Sequence, residues 1–532
     1  MSNNYPDFFN DVFGPIMQPG SSSHMAAPCR IGLLARALHG EKPVEVEFIM
    51  DKEGSFAGTF GIMNEDKGML SGVLGIGPED ERLYEVFDIA DAEGLKYSYQ
   101  FGEMKESSHL NAIKIVLKGA SGKRTELVGD STGGGMVHIK RINGFEVDLI
   151  GDTYVLLIFS SISETQVQQL HSICDGFLET GSITKGDETL RYFKFSEQPD
   201  LGQIRILFSG LKVELLKPVL PVVYKKERLP QLFHSVAQWR DIAIKRGISM
   251  SQAALEYEKN SSLWSDQKIT EYMINLKDIL YREINIAFDS SRSREKVPFQ
   301  RYDGQLWNTY IKKSKTLSGA VISNAVKYAA GVNEKNKGTP YVPGPMGTGG
   351  GYLFSALVSV KEAYGYSEED LLRGLFVAAG IGAVSYTHTS PTGEVVGCGG
   401  ECGVCCAMGA AGIVEMCGGD GYQIENAASL ALQAFIGLPC DPVIGGYEAP
   451  CFSRIIAAAS LAIVYADLAL AGSDAVIPYD EVVFALDRVG KSMKPELLCT
   501  SKGGCCITPT AKRCAKEFEK SRRELQISRN IK

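Results

Sequence analysis

Seven of the thirteen cysteines in this 532-residue chain fall within residues 393–454, GEVVGCGGECGVCCAMGAAGIVEMCGGDGYQIENAASLALQAFIGLPCDPVIGGYEAPCFSR. Thiolates are the natural ligands of soft metals and iron–sulfur clusters. Cys398, Cys440 and Cys451 stand at turn or loop positions, where a sulfur can face a cavity instead of a helix interface. Cys406 and Cys417 lie in Ala- and Gly-rich helical surroundings, where cysteine packs as a small hydrophobe. The spacing fits neither the zinc patterns nor the compact ferredoxin runs, so residue type alone leaves the bound group open.

Three further stretches carry chemistry. PGSSSHMAAP places Ser22, Ser23 and His24 before a helix expected from about Ala26. Such a loop aims N–H groups and hydroxyls at an anion, an N-capped surface loop being the plain alternative. TPYVPGPMGTGGG joins a helix ending near Ala330 to another from about Tyr352, with Thr348 as the one hydroxyl of GPMGTGGG. This run either recognises a ligand through backbone N–H groups or makes a tight crossing. Near the C-terminus, SKGGCC supplies Lys502, Cys505 and Cys506. Burial beside a metal would lower the lysine's pKa and let it act as a base, and each thiol could be a ligand, a reactive group or a packing residue.

The elements that must position these residues follow from pattern. One helix is expected after Glu401 and a second from about Ile424, followed by a Gly/Pro-rich loop. From about Val44 to Ile150, β-like runs (VEVEFIM, IKIVLKG, MVHIKRI) alternate with glycine-rich turns. Residues 153–222 read strand, helix, strand, strand (TYVLLIFSS, ETQVQQLHSICDGFLE, LRYFKFSE, IRILFSG). From Leu229 the spacing of apolar residues becomes helical, with Ser249 or Ser251 as a cap.

Length predicts two to four domains, and 44% hydrophobic with 22% charged residues is ordinary for a globular chain. A net charge of −8 with no Lys/Arg-dense segment argues against nucleic acid or an anionic membrane as partner. The polar, acidic start MSNNYPDFFND carries no secretory signal, and the apolar stretch from Ile455 to Gly472, broken by Asp467, reads as a buried helix short of a membrane span. Abundant cysteine without a signal predicts a reducing cytoplasm and metal or thiol chemistry.

GCGGECG, an Ala-rich helix and then PCDPVIGGYEAPC resemble the alpha region of the iron–sulfur-dependent L-serine dehydratases, whose pattern reads roughly GCQGEVG, TCDPVGG and VPC. The resemblance implies that Cys398, Cys440 and Cys451, 42 and 11 residues apart, ligate a 4Fe-4S cluster. PGSSSHMAAP resembles the PSSSHTxGP signature of the beta domain, with Met25 and Ala27 replacing Thr and Gly, and makes Ser22, Ser23 and His24 candidates for the catalytic cleft. Gly133–Gly135 resemble that domain's GGG turn, a structural feature. Asn333, Glu334 and Asn336 match VNExNxxxG, and the loop after it implies substrate contacts at Asn333, Gly347, Thr348 and Gly349. Where the family has RETxxGGLAV and a terminal cysteine, this chain has Cys505 and Cys506 after Gly503–Gly504, and its last cysteine, Cys514, lies 18 residues from the end.

The implied organisation is a multi-domain chain: an α+β beta-like domain over 1–150, a small ACT-like α+β module over 151–222, and a mostly helical alpha-like domain over 223–532 that carries the cluster. The implied reaction is β-elimination from L-serine or a related β-substituted acid, giving pyruvate and ammonia, with Lys502 and Cys505 as catalytic candidates. The implied partners are a small amino acid and a second copy in a homodimer. Elimination of sulfide from L-cysteine is an alternative within the lyases, and an ACT-like amino-acid sensor is one outside them.

Overall fold

Val46, Phe48 and Met50 are buried while the residues between them are not, the period of two that makes a strand with one covered face. This strand, β1 (Pro43–Asp51), lies in a six-stranded sheet with β2 (Lys96–Gly102), β3 (Ala112–Gly119), β4 (Arg124–Gly133), β5 (Met136–Ile142) and β6 (Phe145–Leu149), in the order β2-β1-β3-β4-β5-β6. Only the β1/β2 pair is parallel. The three runs expected from sequence correspond to β1, β3 and β5. Gly133, Gly134 and Gly135 turn β4 into β5 with φ of +100°, +59° and +84°, the left-handed region in which side chains are strained.

The computed structural model describes residues 6–61, 63–223, 231–289, 303–334, 338–344, 349–443 and 449–528. It divides into two compact units: Gly20–Leu229 with Glu524–Lys532, and Met1–Pro19 with Pro230–Arg523. Of the residues singled out above, Asn336, Gly347 and Thr348 lie outside the described residues.

In the first unit the helix Ala27–His39 packs on the sheet, and Glu65–Leu74 packs on that helix. They cross at glycines, since a Cβ on Gly72 would stand 2.0 Å from the Cys29 carbonyl oxygen. A second, antiparallel sheet follows: β7 (Tyr154–Ile158), β8 (Phe177–Lys185), β9 (Glu188–Phe195) and β10 (Val213–Leu216), in the order β10-β7-β9-β8. Leu156 and Ile158 of β7 face one apolar cluster while Val155 and Leu157 face the other, so both sides of this strand are covered. IRILFSG, expected as a strand, is instead the end of a helix, Leu201–Leu207. Asp200 caps it by accepting from the Gly202 and Gln203 N–H groups, and Ile204 and Phe208 bury one helical face. The resulting β-α-β-β-α-β order is ferredoxin-like.

The second unit is helical. Val404–Met416 is buried along its whole length, the mark of a central helix, and packs on Glu368–His388, Gly421–Gln433 and Cys451–Leu470. Gly374 and Gly412 make a close crossing; a Cβ on either would lie 2.7 Å from the other's carbonyl oxygen. Met250–Ser262 begins with a capping box of Ser249 and Gln252.

Two expectations change here. The N-terminal segment is not a polar leader belonging with the sheets. Phe8, Phe9, Val12 and Phe13 are buried in the helical unit, Phe8 stacked on Tyr257 at 5.3 Å. The apolar helix starts at Cys451, before the stretch singled out in the sequence, and its 20 residues reach the length and hydropathy of a membrane span by length and composition only, as core helices also do. It packs on the Gly319–Asn333, Gly349–Tyr364, Val404–Met416 and Gly421–Gln433 helices.

Candidate functional site

Cys398 follows Gly397, whose φ of +68° and close approach to the chain at Leu438 exclude a side chain; a Cβ there would lie 2.3 Å from the Leu438 carbonyl oxygen. A π-helical turn, Gly399–Gly403, then leads into the Val404–Met416 helix. Glu401 and Cys402, three and four residues beyond Cys398, return to the same face.

Cys440 is fixed by backbone. Its N–H donates to the Leu497 carbonyl at 2.8 Å, and its carbonyl accepts from the Cys499 N–H at 2.8 Å. The Cys398 sulfur, the Cys440 sulfur and a Glu401 carboxylate oxygen lie within 4.8 Å of one another. Gly393 closes over them, because a Cβ there would be 2.6 Å from the Cys440 sulfur and 3.3 Å from Glu401 Oε1.

Arg454 supplies the positive charge. Its Nη1 lies 3.4 Å from the Cys398 sulfur, 2.6 Å from the Pro439 carbonyl and 2.8 Å from Asp441 Oδ1. Asp441, 2% exposed, accepts with its other oxygen from the Cys505 N–H at 2.6 Å. The Cys506 thiol donates to the Pro442 carbonyl at 2.9 Å.

Hydrogen bonds from the Cys402 and Cys440 thiols, outweighing burial, together with the Arg454 guanidinium, hold the Cys398 thiol down at about 3. The protons stay on its donors, since bonding to that thiolate pushes Cys402 and Cys440 up. Burial, with the Cys398 thiolate, Glu394 and Cys499 nearby, pushes the Glu401 carboxyl well above the usual range. The arrangement is one thiolate in a nest of thiols and a neutral carboxyl. Soft sulfur donors of this kind suit iron, zinc or copper better than hard cations.

Cys451 opens the Cys451–Leu470 helix and is half-buried. It is not one of the three converging groups, but it lies one turn before Arg454, which reaches Cys398. Cys505 is exposed, and so is Lys502, so the burial that would make this lysine a base is not provided among the described residues. His388 is exposed and its Nε2 bonds the His234 carbonyl.

The residues expected at the substrate are in two places. His24 is buried, with Nε2 2.8 Å from Ser55 Oγ and Nδ1 3.0 Å from Ser23 Oγ, and Ser131 Oγ donates to the Ser23 carbonyl at 2.7 Å. Ser22 is buried in the same π-helical turn, Ser22–Ala26. In the helical unit Asn333 is buried and its Oδ1 accepts from Tyr352 at 3.4 Å, while Gly349 starts the Gly349–Tyr364 helix.

Residues 245–506 match the family described as Serine dehydratase alpha chain. The chain is 31% identical over 283 residues, 53% of its length, to the L-serine dehydratase alpha chain of Peptoniphilus asaccharolyticus, and covers 96% of that protein. It is also 34% identical over 148 residues, 28% of its length, to the L-serine dehydratase beta chain of the same organism, covering 66% of it. The chain belongs to the L-serine dehydratase family. Beta and alpha regions, separate proteins in that relative, are fused here.

Sequence reasoning on the dehydratase motifs missed Cys402, Cys499, Glu401, Asp441 and Arg454 as members of the cluster. Glu401 and Asp441 stood inside quoted motifs, and Cys402 lies one helical turn from Cys398. Cys499 had no local signal; its φ of +59° is visible only in three dimensions.

Proposed function

We propose that this chain is an L-serine ammonia-lyase that holds a 4Fe-4S cluster on Cys398, Cys440 and Cys451. Held there, such a cluster would supply a Lewis acid for the β-hydroxyl of the substrate. The donor chemistry supports this reading: two sulfurs converge beside a guanidinium, and the third cysteine begins the helix that carries that guanidinium. Arg454 offsets thiolate charge in a site from which water is largely excluded. Asp441 fixes Arg454 and, through the Cys505 N–H, the loop that bears Cys505.

The reaction removes the α-proton and the β-hydroxyl of serine as water. The resulting enamine tautomerises to an imine and takes up water to give pyruvate and ammonia. Asn333 and the start of the Gly349–Tyr364 helix are the groups of the helical unit offered to an amino-acid substrate, because the dipole at a helix N-terminus favours a carboxylate. Ser22, Ser23 and His24, hydrogen-bonded to one another and to Ser55 in the unit with the two sheets, are candidates on the resemblance of their motif. His24 acts there as a neutral hydrogen-bonding group, burial having pulled it down to about 4.

The carrying observation is the convergence of Cys398 and Cys440 in a chain of this family. Anaerobic reconstitution with iron and sulfide tests it. Expected are visible cluster absorption and pyruvate from L-serine, with both lost in Cys398→Ala. Sulfide release from L-cysteine without serine turnover would replace this substrate by the other, and a Cys398→Ala protein that keeps cluster and turnover would overturn the assignment.

A further inference from the structure

Cys398 precedes the π-helical turn Gly399–Gly403 and Glu401 lies within it, so the two side chains return to one face. Cys440 reaches that face from a distant segment, held by its backbone hydrogen bonds to Leu497 and Cys499. The outcome is a mixed donor set: two sulfurs and one carboxylate oxygen, all within 4.8 Å of one another. Close packing aims the carboxylate. A Cβ on Gly400, its chain neighbour, would stand 2.3 Å from Val396 Cγ2, and one on Gly393 would stand 3.3 Å from Glu401 Oε1 and 2.6 Å from the Cys440 sulfur. Backbone thus closes over both kinds of donor at once.

A 4Fe-4S cluster takes four protein donors, ordinarily all thiolates. Cys398, Cys440 and Cys451 supply three, and the remaining thiols near them are occupied otherwise. The Cys506 thiol donates to the Asp441 and Pro442 carbonyls at 3.1 and 2.9 Å, and Cys505 is exposed. Cys402 and Cys499 hydrogen-bond Cys398 and Cys440, which makes them partners of ligand sulfurs. Neither joins the converging group, and among the described residues Glu401 is its one donor that is not a sulfur. A carboxylate oxygen is a harder donor than a thiolate. It therefore suits an iron that must later accept the oxygen of a substrate.

We propose that Glu401 is the fourth protein ligand of the cluster, its carboxylate binding the iron that Cys398, Cys440 and Cys451 do not bind. This rests on the reading that those three cysteines hold a 4Fe-4S cluster. One Fe–O bond forms, the carboxyl proton passes to solvent, and no oxidation state changes.

The test reconstitutes the full chain anaerobically with Mössbauer-active iron and sulfide, as parent, E401Q and C499A. Gln keeps the size of the side chain and lacks the anionic oxygen. Expected in the parent is a spectrum in which one iron site differs from the other three. In E401Q that site should change, and a chelator should remove one iron per cluster about tenfold faster than from the parent, with circular dichroism of the metal-free chain unchanged. C499A should keep the distinct site. An E401Q spectrum and removal rate equal to the parent's would overturn the proposal, as would loss of the distinct site in C499A alone, which would put a sulfur there. Should E401Q not fold, E401D, which draws the carboxylate back by one methylene, carries the comparison with the same expected change. If the parent takes up no cluster, the lyase reading falls, and cobalt(II) added to the metal-free chain still decides the role of Glu401. The thiolate-to-cobalt band should then titrate with a Kd about tenfold weaker in E401Q than in the parent; equal Kd values, or no band in the parent, would sink the ligand role.

Discussion

Arg454 and Asp441 form a 2.8 Å ion pair in which the carboxylate is 2% exposed, and the same guanidinium lies 3.4 Å from the Cys398 sulfur. One cation thereby serves two anions from two segments. Removing it leaves both without their counter-charge. Arg454→Leu should destabilise the protein by about 3 kcal/mol in urea unfolding, the scale for breaking a buried pair. Asp441→Asn, which keeps an acceptor for the Cys505 N–H, should cost clearly less.

The same guanidinium contributes to the charge on sulfur. In the metal-free protein the Cys398 thiol, held at about 3 by hydrogen bonds from Cys402 and Cys440 and by Arg454, carries a thiolate through neutral pH. A depressed pKa means that the proton returns only as pH falls through the folded value. Ultraviolet thiolate absorbance should therefore persist well below pH 7 and collapse near pH 3. In Arg454→Leu the midpoint should move up.

Gly393 lies where a methyl group would strike the Cys440 sulfur at 2.6 Å. Gly393→Ala should reduce iron incorporation severalfold with little change in circular dichroism. Overpacking of a tight site costs about 1–3 kcal/mol, and here the sulfur is the atom that must yield. Iron and sulfide analysis after reconstitution checks this.

His24 gives a pH signature to the unit that contains the two sheets. Burial pulls it from 6.5 to about 4, so the unfolded chain binds the proton first as pH falls. Its contribution is complete above pH 6.5 and is lost as pH drops toward 4, a change of at most about 3 kcal/mol. Unfolding midpoints measured across that window should slope downward with acid, and His24→Gln should flatten the slope.

Gly374 and Gly412 set the distance between two central helices, and a Cβ on either meets a carbonyl oxygen at 2.7 Å. Because backbone cannot swing aside, Gly374→Ala should lower stability by about 2 kcal/mol, read as a lower melting temperature in the metal-free protein.

Local sequence determined a good deal. β-like runs between glycine-rich turns marked β1, β3 and β5, helical spacing marked the second unit, and of the two serines expected to cap its second helix Ser249 does so. The GCGGECG and PCDP motifs located two sulfurs that do converge. The strand expected at IRILFSG failed because so short an apolar stretch is ambiguous between strand and helix, and the Asp200 cap decided it. The N-terminal phenylalanines were hidden by polar neighbours, since burial depends on partners such as Tyr257, almost 250 residues away.

What the chain spells out by itself is its list of donors and the elements that carry them. Only the tertiary structure decided that Arg454 faces Cys398 and that Cys499 pairs its backbone with Cys440. The physical reason is that periodicity and capping act over one or two helical turns, whereas a charge, a thiol and a glycine become one site only when folding closes the long loops between them.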